Sequence, residues 1–82
     1  MEFTEEELAD KIEALVKRKY PRLQLSDEDI CEMLFGHALY RQQVNAACRR
    51  LISEQRLDRD GKGVAGSPFW YRPWGPPFER RI

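Results

Sequence analysis

Apolar residues recur at helical spacing three times along this chain, and the pattern then changes to alternation. Leu8, Ile12, Leu15 and Val16 form one stripe, Ile30, Met33 and Leu34 a second, and Val44, Ala47, Cys48, Leu51 and Ile52 a third. The punctuation agrees with three helices. Thr4 and Glu7 have the spacing of a capping box, with Phe3 and Leu8 as a staple, and Lys17, Arg18, Lys19 and then Pro21 close the segment. Ser26 and Asp29 cap a second helix over Ser26–Phe35, which Gly36 ends. The short turn to Tyr40 makes a third helix, Arg41–Glu54, cross close to the second. Beyond it, Arg56–Arg59 and Phe69–Arg72 read as two strands around a Gly-rich, mobile hairpin loop at residues 60–67, with Leu57 as the inner anchor. Leu23–Leu25 alternates and could add a third strand. Trp70 is expected to cover an open edge of the core.

The expected architecture is therefore α+β: three helices with a small antiparallel β-wing. One domain over residues 1–73 and a Pro/aromatic tail over residues 74–82 account for all 82 residues. The acidic start does not read as a signal peptide, and no apolar run approaches a membrane span, so a cytoplasmic or nucleoid-associated protein is expected. Cys31 and Cys48 each fall in a helical pattern and read as small buried residues in the reduced state.

Charge adds what hydropathy does not. The chain carries 14 acids and 14 bases, yet residues 1–40 sum to −5 and residues 41–82 to +5. Acids at the starts of the first two helices account for much of the first half. The basic half suggests a face for a polyanion. On the third helix, Gln42, Asn45 and Arg49 share the side opposite the apolar stripe, and these residue types hydrogen-bond base edges: Arg with guanine, Asn or Gln with adenine. Arg41, Arg50, Arg59 and Lys62 surround them as candidate phosphate ligands. An ordinary solvated helix face is the plain alternative.

Little points to catalysis or to a cofactor. His37, the single histidine, lies in the turn between helices two and three. Cys31, His37 and Cys48 lack the close paired spacing of a zinc site. Asp58 and Asp60 flank a hairpin, and Gly61-Lys62-Gly63 is too short for a phosphate-binding loop. No enzyme activity, metal or cofactor is expected.

The runs Ser26-Asp27-Glu28-Asp29-Ile30, Val44-Asn45-Ala46-Ala47-Cys48-Arg49-Arg50-Leu51-Ile52 and Arg56-Leu57-Asp58-Arg59-Asp60-Gly61 together resemble the winged helix-turn-helix DNA-binding domains. That resemblance implies a recognition helix at residues 41–54 set in the major groove of double-stranded DNA. It also implies a wing at residues 60–67 on the phosphates, and a small transcriptional regulator as the function. Gln55 stands where the family commonly has Gly, which implies a left-handed backbone there. Arg41, Asn45 and Gly66-Ser67-Pro68 also resemble winged helices that bind Z-form DNA or RNA, although Arg49, Phe69 and Tyr71 depart from that pattern. Many winged helices instead bind proteins, and Trp74 and Phe78 in the tail are candidates for such a contact or for a homodimer.

Overall fold

The computed structural model describes residues 2–64 and 66–75; Met1, Ala65 and residues 76–82, Phe78 among them, lie outside the described residues. Along the chain run α1 (Glu5–Lys19), α2 (Asp27–Phe35), α3 (Arg41–Ser53), β1 (Leu57–Asp60) and β2 (Trp70–Pro73). Both expected capping boxes form. Glu7 N donates to Thr4 Oγ1 at 3.1 Å while Thr4 N donates to Glu7 Oε1 at 2.9 Å. Ser26 and Asp29 make the same reciprocal pair, each bond 3.2 Å. These bonds satisfy N–H groups that a helix start leaves without partners. Gly36 ends α2 at φ 78°, with its N–H on Glu32 O. Among the described residues no side chain caps α3, whose first residue follows Tyr40.

The three stripes meet in one core. Leu8, Ala9, Ile12, Leu15 and Val16 of α1, Ile30 and Cys31 of α2, and Val44, Ala47, Cys48 and Leu51 of α3 are buried together with Leu25, Leu57 and Tyr71. Helix α3 packs against both α1 and α2. The α2 stripe differs from expectation. Cys31 joins Ile30 inside, Leu34 is only partly covered, and Met33 is 46% exposed. The face that α2 turns inward thus runs through positions 30, 31 and 34, and Met33 lies just beyond its edge.

The two strands pair antiparallel in the register Leu57↔Pro73, Asp58↔Arg72, Arg59↔Tyr71 and Asp60↔Trp70. A third strand reduces to one bridge, in which Tyr71 N donates to Leu25 O at 2.9 Å. Tyr71 is fully buried and Phe69 packs partly on the core, so alternation turns Trp70 to the other face. The expectation that Trp70 covers the core is thereby corrected: Tyr71 and Phe69 do so.

Arg56 stands outside the first strand, where sequence placed it. It belongs instead to the helix stop. Gln55 takes φ 60°, Arg56 N donates to Leu51 O at 2.8 Å and Gln55 N to Ile52 O at 3.1 Å. This pair of bonds is a Schellman motif, and it needs a left-handed residue at position 55. Gln55 adopts that conformation at a cost of about 1 kcal/mol relative to glycine.

Candidate nucleic-acid interface

The stop at Gln55 turns the chain back, so that the β1–β2 loop returns beside the exposed face of α3. Two open hollows mark the surface between them. One, of about 740 Å³, is lined by Asp27, Leu39, Arg41, Gln42, Asn45 and Arg49, with Ala38. The other, of about 420 Å³, joins Asp27, Arg41 and Asn45 to Gly63, Val64, Gly66, Pro68 and Phe69 of the loop. Asp27, Arg41 and Asn45 belong to both, so the helix face and the loop form a continuous front.

The loop is closed on itself. Gly63 N donates to Ser67 O at 2.9 Å and Ser67 N returns a bond to Val64 O at 2.9 Å. Two of its glycines are required by space as well as by conformation. At Gly61, with φ 97°, a Cβ would stand 2.1 Å from the Pro68 carbonyl oxygen, and at Gly63 one would stand 2.4 Å from the Phe69 ring. The Arg59 guanidinium lies over the same ring, 3.9 Å from its centroid. The base of the loop is thus fixed by Phe69, and Lys62, between Gly61 and Gly63, is exposed.

The candidate residues separate into two groups. Gln42, Arg49 and Lys62 are exposed, and none has a side-chain hydrogen bond or ion pair among the described residues. Arg41 and Asn45 are on the same front but engaged: Asn45 Nδ2 donates to Asp27 Oδ2 at 3.2 Å, and Arg41 lies 3.9 Å from Asp27 and 3.7 Å from Glu28. Arg59 is held in its stack on Phe69. Arg50 is directed elsewhere, toward α1. It pairs with Glu54 at 3.0 Å and Glu6 at 3.7 Å, and lines another hollow with Glu5 and Leu8, which touches the front one at Gln42. The Glu54 hydrogen bond raises the Arg50 pKa further and lowers that of Glu54.

Much of the basic half of the chain is therefore used internally. Arg56 reaches Asp10 and Glu13, each at 2.6 Å, and Glu54 at 3.1 Å. Burial pushes the Glu13 carboxyl up, but hydrogen bonds from Lys17 and Arg56 outweigh it and leave the group below its ordinary value. Arg72 pairs with Asp58 at 3.2 Å and with Asp60. The acids of residues 1–40 and the bases of residues 41–82 meet across α1–α3 and α2–α3, which the linear charge split did not reveal.

Asp27 is the front residue that sequence reasoning did not single out. As an acid in the first turn of α2 it looked like an ordinary helix-start residue. Its bond to Asn45 spans 18 positions and has no linear signature. Beneath it lie Cys48 and Tyr71. Burial, with Asp27 adding to it, pushes the Cys48 thiol up to about 12, so no thiolate is available at neutral pH. The enclosed Tyr71 hydroxyl has no hydrogen-bond partner among the described residues. His37 accepts the Leu39 N–H through Nδ1 at 3.2 Å, a turn role. Trp74 is 42% exposed, and its N–H extends the ladder to Arg56 O at 3.4 Å.

Among the described residues, no group of three or more His, Cys, Asp or Glu is placed to hold a metal ion, and no helix is long and apolar enough to cross a membrane. Comparison of the chain with protein-family models, curated proteins and solved structures returned no match.

Proposed function

We propose that this domain is a winged helix-turn-helix that binds double-stranded nucleic acid, DNA foremost. Helix α3 enters the major groove and the loop at residues 60–67 follows the phosphates, as suits a small transcriptional regulator. One observation carries the reading. Among the described residues Arg49 and Lys62 meet no acid, and they stand one on the exposed face of α3 and one in the β1–β2 loop, while Arg50, Arg56 and Arg72 are paired with carboxylates elsewhere. A duplex backbone is the partner that offers anions to both elements at once. The open N-terminus of α3 adds favourable dipole potential.

The test is a titration of duplex DNA at several salt concentrations, followed by backbone amide shifts. Two phosphate contacts give a log–log slope of about −1.8, and three, with Arg41 released from Asp27, about −2.7. Shifts are expected along α3 and residues 61–67. A slope near zero, or shifts confined to α1, rejects the reading. The alternative of a protein-interaction module has its own support: Leu39 is 81% exposed and Val64 is 59% exposed, one in each of the two front hollows. In that case Leu39→Ala and Val64→Ala abolish partner binding, whereas duplex binding is absent from the start.

A further inference from the structure

The donor and acceptor groups at the centre of the front define what kind of base edge it can read, an inference that rests on the nucleic-acid reading above. Asn45 directs its Nδ2 to Asp27 Oδ2 at 3.2 Å. A carboxylate only accepts, so this contact fixes which end of the amide faces it. The remaining amide oxygen, Oδ1, has no partner among the described residues. Asp27 keeps accepting capacity beyond the bonds from Asn45 and from the Glu28 N–H, and its side chain is 23% exposed beside the hollows. The middle of the front therefore presents acceptors and a negative charge, with Arg41 and Arg49 beside it.

We infer that Asp27 and Asn45 together form a specificity-determining acceptor pair that selects a base amino group, and that the amino group is cytosine N4. Phosphate is excluded, because the pair repels an anion. Guanine is excluded at the same point, because its O6 and N7 are acceptors. Adenine offers N6–H₂, but N7 beside it would bring a lone pair against the acceptors. Cytosine N4–H₂ is flanked by a C–H and meets the pair without such a conflict, as carboxylates generally meet it. Arg49, one turn beyond Asn45 on the same face and unpaired among the described residues, then suits the O6 and N7 of a guanine in or next to that pair. The bidentate Asn–adenine contact that residue type alone suggests would require Asn45 to abandon Asp27.

The experiment compares the wild-type chain, Asp27→Asn and Asn45→Ala on three duplexes of equal length: A·T only, one with central G·C pairs, and one with I·C in their place. Inosine keeps the major-groove edge of guanine and lacks its minor-groove amine. The wild type should prefer the G·C duplex over A·T by about tenfold and bind the I·C duplex equally well. Asp27→Asn, nearly isosteric and without the charge, should reduce the preference severalfold, to what the Arg49–guanine contact alone supports, while tightening binding to the A·T duplex. Asn45→Ala should lose the preference without that tightening. Thermal melting of each variant verifies that it is folded. If Asp27→Asn keeps the wild-type preference, or weakens binding to all duplexes alike, the acceptor pair is overturned while nucleic-acid binding stands. Loss of the preference on I·C also overturns it. Failure of all three proteins to bind any duplex at low salt overturns the nucleic-acid reading itself.

Discussion

The α1 side and the α3–loop side of the domain use charge in opposite ways. On the α1 side, acids and bases far apart in sequence are brought together: Arg56 with Asp10 and Glu13, Arg50 with Glu6 and Glu54. On the other side, Arg49 and Lys62 meet no acid among the described residues, and Asp27, engaged with Asn45 and Arg41, lines the hollows beside Arg49 and the loop. A formal net charge of zero therefore says little about partners. Cancellation occurs at particular contacts, and the surface that matters is the one where it is incomplete. The −5 and +5 halves contribute to tertiary structure as much as to any external field.

The sharpest way to break this contrast is to exchange losses between the two sides. Arg56→Ala removes a half-covered guanidinium shared among three carboxylates and leaves Glu13 short of a partner. It should cost about 1–2 kcal/mol, a fall in Tm of roughly 5–15 °C for a chain of this size, with duplex affinity nearly unchanged. Arg49→Ala should do the reverse, weakening duplex binding by about 5- to 100-fold with Tm held within a degree or two. Calorimetry and a binding isotherm on both variants read the two effects separately. If Arg49→Ala lowers Tm as much as Arg56→Ala does, the distinction between the sides fails.

Sequence carried much of this arrangement and missed its cross-links, for physical reasons. Capping at Thr4 and Ser26 involves residues three apart, so spacing alone revealed it. Burial of Val44, Cys48 and Leu51 followed from helical period. The left-handed turn at Gln55 followed from the resemblance, because a helix that must reverse into a strand needs such a residue whichever side chain fills it. The pairing of Arg50 with Glu6 and Glu54 was not legible, because helix geometry gives an angle but no knowledge of which neighbour stands there. Asp27 was missed for the same reason. Tyr71 rather than Trp70 entered the core because strand alternation fixes relative sides only, and the bridge to Leu25 decides which side is in.

A smaller effect sharpens the α1 side alone. Glu13 has its carboxyl pKa depressed from the ordinary value of 4.5, the Lys17 and Arg56 hydrogen bonds outweighing its burial. A depressed acid contributes stability that is fully present above its unfolded pKa and is lost as pH falls through the lower folded value. Thermal stability of the wild type should therefore fall below about pH 4, and Glu13→Gln should start lower and show a shallower acid limb. Melting curves between pH 2.5 and 7, values chosen to span the ordinary carboxylate range at about 4, measure this directly. Parallel acid limbs in the two proteins would place the acid sensitivity elsewhere, with Glu54, also depressed by Arg50 and Arg56, as the next carboxylate to replace.

The least perturbing change tests the seam between the sides. Tyr71 pairs with Arg59 across the strands, has no hydrogen-bond partner for its enclosed hydroxyl among the described residues, and lies near the Asp27–Asn45 contact. Burial, with Cys48 and Asp27 adding to it, pushes its pKa up, and the nearby Arg59 charge offsets this only in part. A buried polar group without a partner costs about 1–3 kcal/mol, so its removal recovers part of that amount if the ring stays in place. Tyr71→Phe should then be neutral or stabilising by up to about 1 kcal/mol, whereas Tyr71→Ala, which empties the site, should cost about 3–5 kcal/mol. Duplex affinity should be unchanged in Tyr71→Phe, since Asp27 and Asn45 hold each other without the hydroxyl. Destabilisation by more than about 1 kcal/mol would mean that the hydroxyl is satisfied in solution, by Arg59, the Cys48 sulfur or a trapped water, and that the seam is a polar link between the two sides rather than an apolar floor beneath one of them.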